Sequence, residues 1–589
     1  MNAERLLAHY ERISDAPDAM ARLRRFILDL AVRGKLVSQN WKDEPASELL
    51  KRIAAEKARL LKAGEIRTPK WTSAGSEPPF PIPANWRWSQ IAEVGVLNPR
   101  NEAPDDAKVS FVPMPLIPAE YGAANEHEVR PWGEIKKGYT HFSEGDVGLA
   151  KITPCFENGK STVFRNLTGG IGSGTTELHI VRPVFVDQHY ILIFFKSPHF
   201  IETGISKMTG TAGQKRVPTE YFAHSPFPVP PLAEQHRIVA KVNELMALCD
   251  QIEAARTVRE ASRDRLMAAS LARLNSPASD RSTFVAHARF ALNNLAAITA
   301  RVDQVKQLRH TILSLAVRGK LVPQNPNDEP ASQLLERIAA DRAQFVKDGR
   351  IPALKPLPAP LGVQLPFKLP ANWQWASFGE LVEDADAGWS PRTEGFPRSG
   401  DFWGVLKVSA VSWDRFLPEE NKQLLPDVVP PDSAKVHQGD FLISRANTSE
   451  LVAKCVVVES DPRNLILSDK IVRLRLSKES NKKYLCIVNN SSDHARAYYA
   501  AHASGTSLSM KNVSRSIIYS LPVPIPPLAE QDRIVAKVDE LMALCDRLEA
   551  SLAASDGQRS RLLDAFLAEA LASAEGARPA EELELAVHG

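Results

Sequence analysis

Long apolar runs are missing from this chain of 589 residues. The longest candidate, Tyr190–Phe195, is far too short to span a bilayer, which argues against a helical membrane protein. The N-terminal stretch MNAERLLAHYERISD carries charges throughout and has no signal-type apolar core, so a cytoplasmic protein is expected. There are only five cysteines and no CxxC pair, which argues against a zinc ribbon or a disulfide framework. Cys249 and Cys545 occupy the same repeat position on a helix face and read as small core hydrophobes. The charge is not one-sided either. A net +3 does not by itself announce nucleic acid, although Glu575, Glu581, Glu582 and Glu584 form an acidic tail, and near-neutral totals can hide opposed faces. No GxxxxGK[ST] occurs, so a P-loop nucleotide site is excluded. Gly170, Gly172 and Gly174 miss the GxGxxG spacing and read as a flexible or close-packed loop.

What the chain has is repetition. Residues Pro226–Ala254, PFPVPPLAEQHRIVAKVNELMALCDQIEA, return at Pro522–Ala550 with 23 of 29 positions identical. Leu23–Ala55, with its LAVRGKLV and DEPASELL, returns at Leu308–Ala340, and IPANWRW at Ile82–Trp88 returns as LPANWQW at Leu369–Trp375. Between these echoes the halves share almost no sequence, so one frame carries two different inserts. Size alone predicts roughly three or four domains. The boundaries read are 1–85, 86–225, 226–372, 373–521 and 522–589.

Leu23, Phe26, Ile27, Leu30 and Ala31 form one helical stripe over about 21–33, with Gly34 as its stop. A second helix is expected from Asp43-Glu44-Pro45 to Gly64, and the pair recurs over 308–349. The loop between the two is long for a DNA-reading helix-turn-helix, so a scaffold role is favoured. Residues 65–85 read as a linker. Both inserts look α+β, with short strands in GDVGLAKI, STVFRNL and GDFLISRANTSELVAKCVVVES. A helix is expected over Gln188–Met208 and another over about Lys483–His502, each followed by a Gly-Thr turn.

The PPLAEQ stretches carry acids at a helix start, Glu234 and Glu530. They also carry a heptad seam of Ile238, Val242, Leu245, Cys249 and Ile252, echoed by Ile534, Val538, Leu541, Cys545 and Leu548. The first of these helices is expected to reach about Leu274, a rod of roughly 60 Å.

Two motifs suggest catalysis. Glu77-Pro78-Pro79-Phe80 resembles the amino-methyltransferase motif but has the wrong first residue, and Pro104-Asp105 with Glu134-Ile135-Lys136 fits the loose nuclease pattern PD with ExK. Both patterns are loose, and neither is adopted. The chain is expected to hold no catalytic residue and no metal.

The inserts also place basic and polar residues in loops: Lys151, Thr153, Lys160, Gln214, Lys215 and Arg216 in the first, and Arg445, Asn447, Thr448, Lys454, Ser509 and Lys511 in the second. Such side chains suit phosphates and base edges, so each group is read as a DNA face.

The duplicated PPLAEQ(H/D)RIVAKV(N/D)EL helices, the duplicated LAVRGKLV with DEPAS(E/Q)LL, the NWxW segments and the Gly-Thr turns together resemble the specificity subunit of a type I restriction-modification system. The resemblance implies an α+β fold with an internal pseudo-twofold repeat, in which two target recognition domains are joined by long antiparallel coiled-coil helices. It implies that each domain reads one half of an asymmetric bipartite site in double-stranded DNA. It also implies docking of two methyltransferase subunits and recruitment of restriction subunits, with S-adenosylmethionine, ATP and Mg belonging to those partners and no cofactor to this chain. His236 against Asp532 is a small departure from exact repetition. Two rival readings are a coiled-coil scaffold without DNA recognition and a nuclease with its own PD-ExK-like centre.

Overall fold

Helix α1, Ala19–Val32, is buried at every position from Phe26 to Val32, so the expected single stripe is two faces: Ile27 and Ala31 lie in one core cluster and Phe26 and Leu30 in another. Gly34 ends it with φ +68, and a Cβ there would lie 2.5 Å from the Pro83 ring, so both conformation and space require glycine. Helix α2, Ala46–Lys62, follows Pro45 and buries Leu49 and Ile53. The computed structural model describes residues 15–66, 78–211, 213–276, 280–351, 367–412, 415–505 and 510–576. Among them the same helix pair recurs as α4, Val302–Val317, and α5, Ala331–Lys347, with Gly319 at φ +66. The PPLAEQ stretches open α3, Leu232–Asn275, and α6, Leu528–Gly576.

The chain divides into two compact units, one of 1–259 with 555–589 and one of 260–554. In the first unit Ile238, Val242 and Cys249 are buried in one cluster with Ile27 and Leu28 of α1, with Leu245 and Ile252 partly buried against it. In the second, Ile534, Val538 and Cys545 are buried with Val305 and Ile312 of α4, and Leu541 and Leu548 pack at the edge. Each fully buried branched side chain contributes roughly 2 kcal/mol. Arg24 donates to Asp250 and Glu253 at 2.7 and 2.6 Å, and Arg309 to Asp546 and Glu549 at 2.5 and 3.3 Å, fastening the same helix pair in each unit. The last part of α6 joins the first unit, with Leu563 in its main core and Ala570 against Phe26 and Leu30. In the second unit, Met267 and Leu271 of α3 pack with Leu315 of α4.

Each insert, or head, begins and ends on one antiparallel ribbon. Arg87–Gln90 pairs with Pro226–Val229, and Gln374–Ser377 with Pro522–Ile525. Within the first head a four-stranded sheet runs Gly95–Leu97, Leu178–Pro183, Val147–Ala150, Ser161–Val163. The second head repeats it as Val382–Ala387, Ile471–Leu476, Phe441–Ser444, Cys455–Val457. A second sheet contains one parallel pair in each head, Lys108–Val112 with Ile171–Gly174 and Gly404–Leu406 with Leu465–Ile466.

Three further expectations need correction. The helix over Gln188–Met208 is two helices, Gln188–Lys196 and Pro198–Lys207, because proline has no N–H to continue the ladder and the Ser197 hydroxyl caps the new start at Phe200. The helix over Lys483–His502 is likewise broken at the extended Ser491, giving Lys482–Asn490, a π-type turn over Ser492–Arg496, and Ala497–His502. Gly172 and Gly174 lie in a strand, where a Cβ would meet the Ser110 and Val112 carbonyl oxygens, each at 2.5 Å, so close packing explains them. All five cysteines are free, with Cys249 and Cys545 buried. Among the described residues no helix is long and apolar enough to cross a membrane.

Candidate nucleic-acid interface

The frame closes around each head through a buried carboxylate. Glu234 Oε1 accepts from Trp86 Nε1 at 3.0 Å and Gln39 Nε2 at 2.8 Å. Glu530 accepts from Trp373 Nε1 at 3.1 Å and Gln324 Nε2 at 2.6 Å. Burial raises both carboxyls above the ordinary glutamate range, against the pull of those donors. The three repeated segments therefore meet at one point in each unit. Read from sequence, Glu234 and Glu530 were only acids at a helix start. Nearby, Asp187 pairs with His236 at 3.6 Å, while Asn481 donates to Asp532 at 2.7 Å, so the one differing position of the PLAEQ(H/D) segment has exchanged its acid with its partner.

On this frame the sheet strand Val147–Ala150 leads into Lys151–Thr153, which the return turn crosses. Val217 N donates to Lys151 O at 2.7 Å, Thr153 N to Lys215 O at 3.0 Å, and Thr209 and Arg216 exchange backbone hydrogen bonds. The turn depends on Gly210 at φ +123. The second head repeats the crossing: Val513 N donates to Arg445 O at 2.9 Å, Asn447 pairs with Lys511, and Ser504 with Asn512, around Gly505 at φ +121. Lys151, Thr153, Gln214, Lys215 and Arg216 thus share one edge of the first head, as do Arg445, Asn447 and Lys511 in the second.

These side chains differ in how free they are. Arg216 is committed to Glu177 through two hydrogen bonds of 2.9 Å, and Lys160 Nζ donates to the Met114 carbonyl at 3.0 Å. Gln214 and Lys215 are exposed. The Thr153 hydroxyl is buried and has no partner among the described residues. In the second head Asn447 Nδ2 donates to Ser412 Oγ at 3.0 Å and Lys511 Nζ to the Gly505 carbonyl at 2.6 Å. Arg445 is exposed, Thr448 opens the following turn by accepting from Val452 N at 2.9 Å, and the Lys454 carbonyl accepts from Ser444 N at 2.9 Å. Ser509 lies outside the described residues.

Sequence reading missed a cleft of about 200 Å³ beside Lys151 in the first head, lined also by Asn98, Arg100, Tyr139, His141, Thr176, His179 and Thr219. Burial holds His179 down to about 4 and also lowers His141, so both imidazoles are neutral near pH 7. Only the short NPRN segment following a strand marked this place, and that is a weak signal.

The structure brings Asp105 and Lys136 of the second motif together. Lys136 Nζ is paired with Asp105 Oδ1 at 2.5 Å, and among the described residues no group of three or more His, Cys, Asp or Glu side chains is placed to hold a metal ion. Phe80 packs on Trp88 at 5.0 Å and beneath the Arg33 guanidinium, and Phe367 does the same with Trp375 and Arg318, so this aromatic belongs to the frame. Glu77 lies outside the described residues.

The chain is similar over nearly its whole length to two curated proteins. One is the type I restriction enzyme EcoEI specificity subunit of Escherichia coli, 43% identical over 559 residues covering 93% of each chain. The other is the EcoAI specificity subunit of Escherichia coli, 39% identical over 559 residues covering 92% of each. Its fold is similar to a solved chain from work on complex assembly and conformational transition of the type I R-M system. That match has a TM-score of 0.50 and 18% identity, and covers 84% of this chain and 99% of the other. No family model matches the chain.

Proposed function

The chain belongs to the specificity subunits of type I restriction enzymes, and from that premise we propose that its two heads each read one half of an asymmetric bipartite site in double-stranded DNA. The observation that carries this reading is the pairing of a repeated frame with unlike heads. The crossing of Lys151–Thr153 by the return turn and the crossing of Arg445–Asn447 by its counterpart have the same backbone geometry, with different side chains on each. Equal geometry with unequal chemistry is what two different half-sites require. Arg445, Lys215 and Gln214 are exposed on those edges and fit base or phosphate contacts.

The chain itself performs no chemistry in this reading. Its repeated frame docks two methyltransferase subunits on equivalent surfaces, and these supply S-adenosylmethionine-dependent adenine methylation. Restriction subunits, with ATP and Mg, are recruited to the same cytoplasmic assembly. The exchanged Asp187–His236 and Asn481–Asp532 contacts support equivalence of the two surfaces, because the link survives with its partners swapped.

The test is to express the chain with its methyltransferase subunit and map adenine methylation across a genome by single-molecule sequencing. One split motif with a fixed unspecified gap is expected. An assembled complex that methylates no motif would return the chain to a scaffold role.

A further inference from the structure

We propose that the cleft beside Lys151 in the first head is a seat for a phosphate group, held by Arg100 and Lys151. Arg100 is exposed, and its Nη1 reaches only the Tyr139 carbonyl and His141 Nε2, each at 3.4 Å. The second contact is not a hydrogen bond. His141 Nδ1 accepts from Asn101 N at 3.2 Å, which leaves Nε2 as the protonated nitrogen donating to the Lys136 carbonyl at 2.9 Å. The guanidinium therefore keeps most of its donors unused. Lys151 Nζ has no hydrogen bond or ion pair among the described residues, and the nearby carboxylate, Glu177, is occupied by both arms of Arg216. Asn98, Thr176 and Thr219 line the same space, and the Asn98 side-chain oxygen is taken up by accepting from Ile180 N at 3.0 Å.

A lining that holds two cations and no carboxylate of its own suits a tetrahedral oxyanion, and about 200 Å³ accommodates one with its ester substituents. The site belongs to the first head. In the second head the corresponding strand exit is Gly388-Trp389-Ser390, where Ser390 Oγ donates to Asp469 Oδ1 at 2.6 Å, so a carboxylate stands there. Assigning the phosphate to the DNA backbone rests on the function proposed above. The phosphate chemistry of the cleft does not.

The experiment uses the full chain assembled with its methyltransferase subunits. Affinity for duplex DNA is measured against KCl for wild type, Arg100→Gln, Lys151→Gln and the double variant, and 31P line broadening of inorganic phosphate is recorded without DNA. Each single change is expected to weaken DNA binding and lower the slope of log K against log salt by about 0.9, with the methylated motif unchanged. An unchanged slope with phosphate broadening lost in the double variant would keep the seat and assign it to a free phosphate ligand. Unchanged slope and unchanged broadening overturn the proposal, as does a motif relaxed at one position, which would mark a base contact. Wild-type complex that shows no salt-dependent DNA binding sinks the DNA reading, while the phosphorus arm still decides the cleft. Should the double variant fail to assemble, Arg100→Gln, on an exposed residue, carries both arms.

Discussion

Glu234 and Glu530 hold together segments that lie about 150 to 200 residues apart in sequence, and each does so by accepting from a buried indole. Glu234→Ala leaves the Trp86 N–H buried without an acceptor and should cost roughly 2 kcal/mol, read as a lowered denaturation midpoint. A cost near zero would mean the indole finds another partner. The pH response follows from the same burial. The folded chain binds these two protons more tightly than the unfolded chain, so this contribution favours the native state below the ordinary glutamate range. It is lost as pH rises through that range toward the raised values. A Glu234→Gln, Glu530→Gln double variant keeps the acceptor without the charge. Its melting temperature relative to wild type should therefore rise over that pH interval; a flat difference would count against the burial argument. None of this was legible in the sequence, because an acid in a first turn has the same appearance whether it faces water or an indole. The loop residues Lys151, Thr153 and Arg216 could be chosen by type, but Arg216's commitment to Glu177 is visible only in three dimensions.

Helix ends and the apolar seam were readable because capping and heptad spacing are local. The breaks at Ser197 and Ser491 are less legible, although Pro198 signals one of them. Spacing identified which face of α3 is apolar but not its cover, which includes α1 in the first unit. Both long helices contain a stretch with no fully buried residue, 250–266 in α3 and 546–562 in α6. The chain passes between the two compact units once through each stretch. Inserting one heptad into both adds about 10 Å while rotating the faces by only about 20°, so under the proposed function the gap in the methylated motif should grow by about three base pairs with both halves intact. A gap that stays fixed would show that these helices do not measure it.

Duplication was the plainest statement the sequence made, and the two matching ribbons explain why the inserts could diverge. With Trp88 opposite Pro228, both ends of the first head leave the frame side by side, so a head can be exchanged without disturbing the path of the rest. Replacing residues 86–225 with another head should change one half of the methylated motif and leave the other. Changes in both halves would end the modular reading. The two-unit division carries a further consequence. The core around α1 is completed by Leu563 and Ala570, which are synthesised about 300 residues after the first unit's opening segment ends at Arg259. At the ribosome's pace that interval is about 15 to 60 seconds. Throughout it the Phe26 and Leu30 face of a nascent chain lacks the cover that α6 gives it, and the tempo of translation sets how long a chaperone has to shield it.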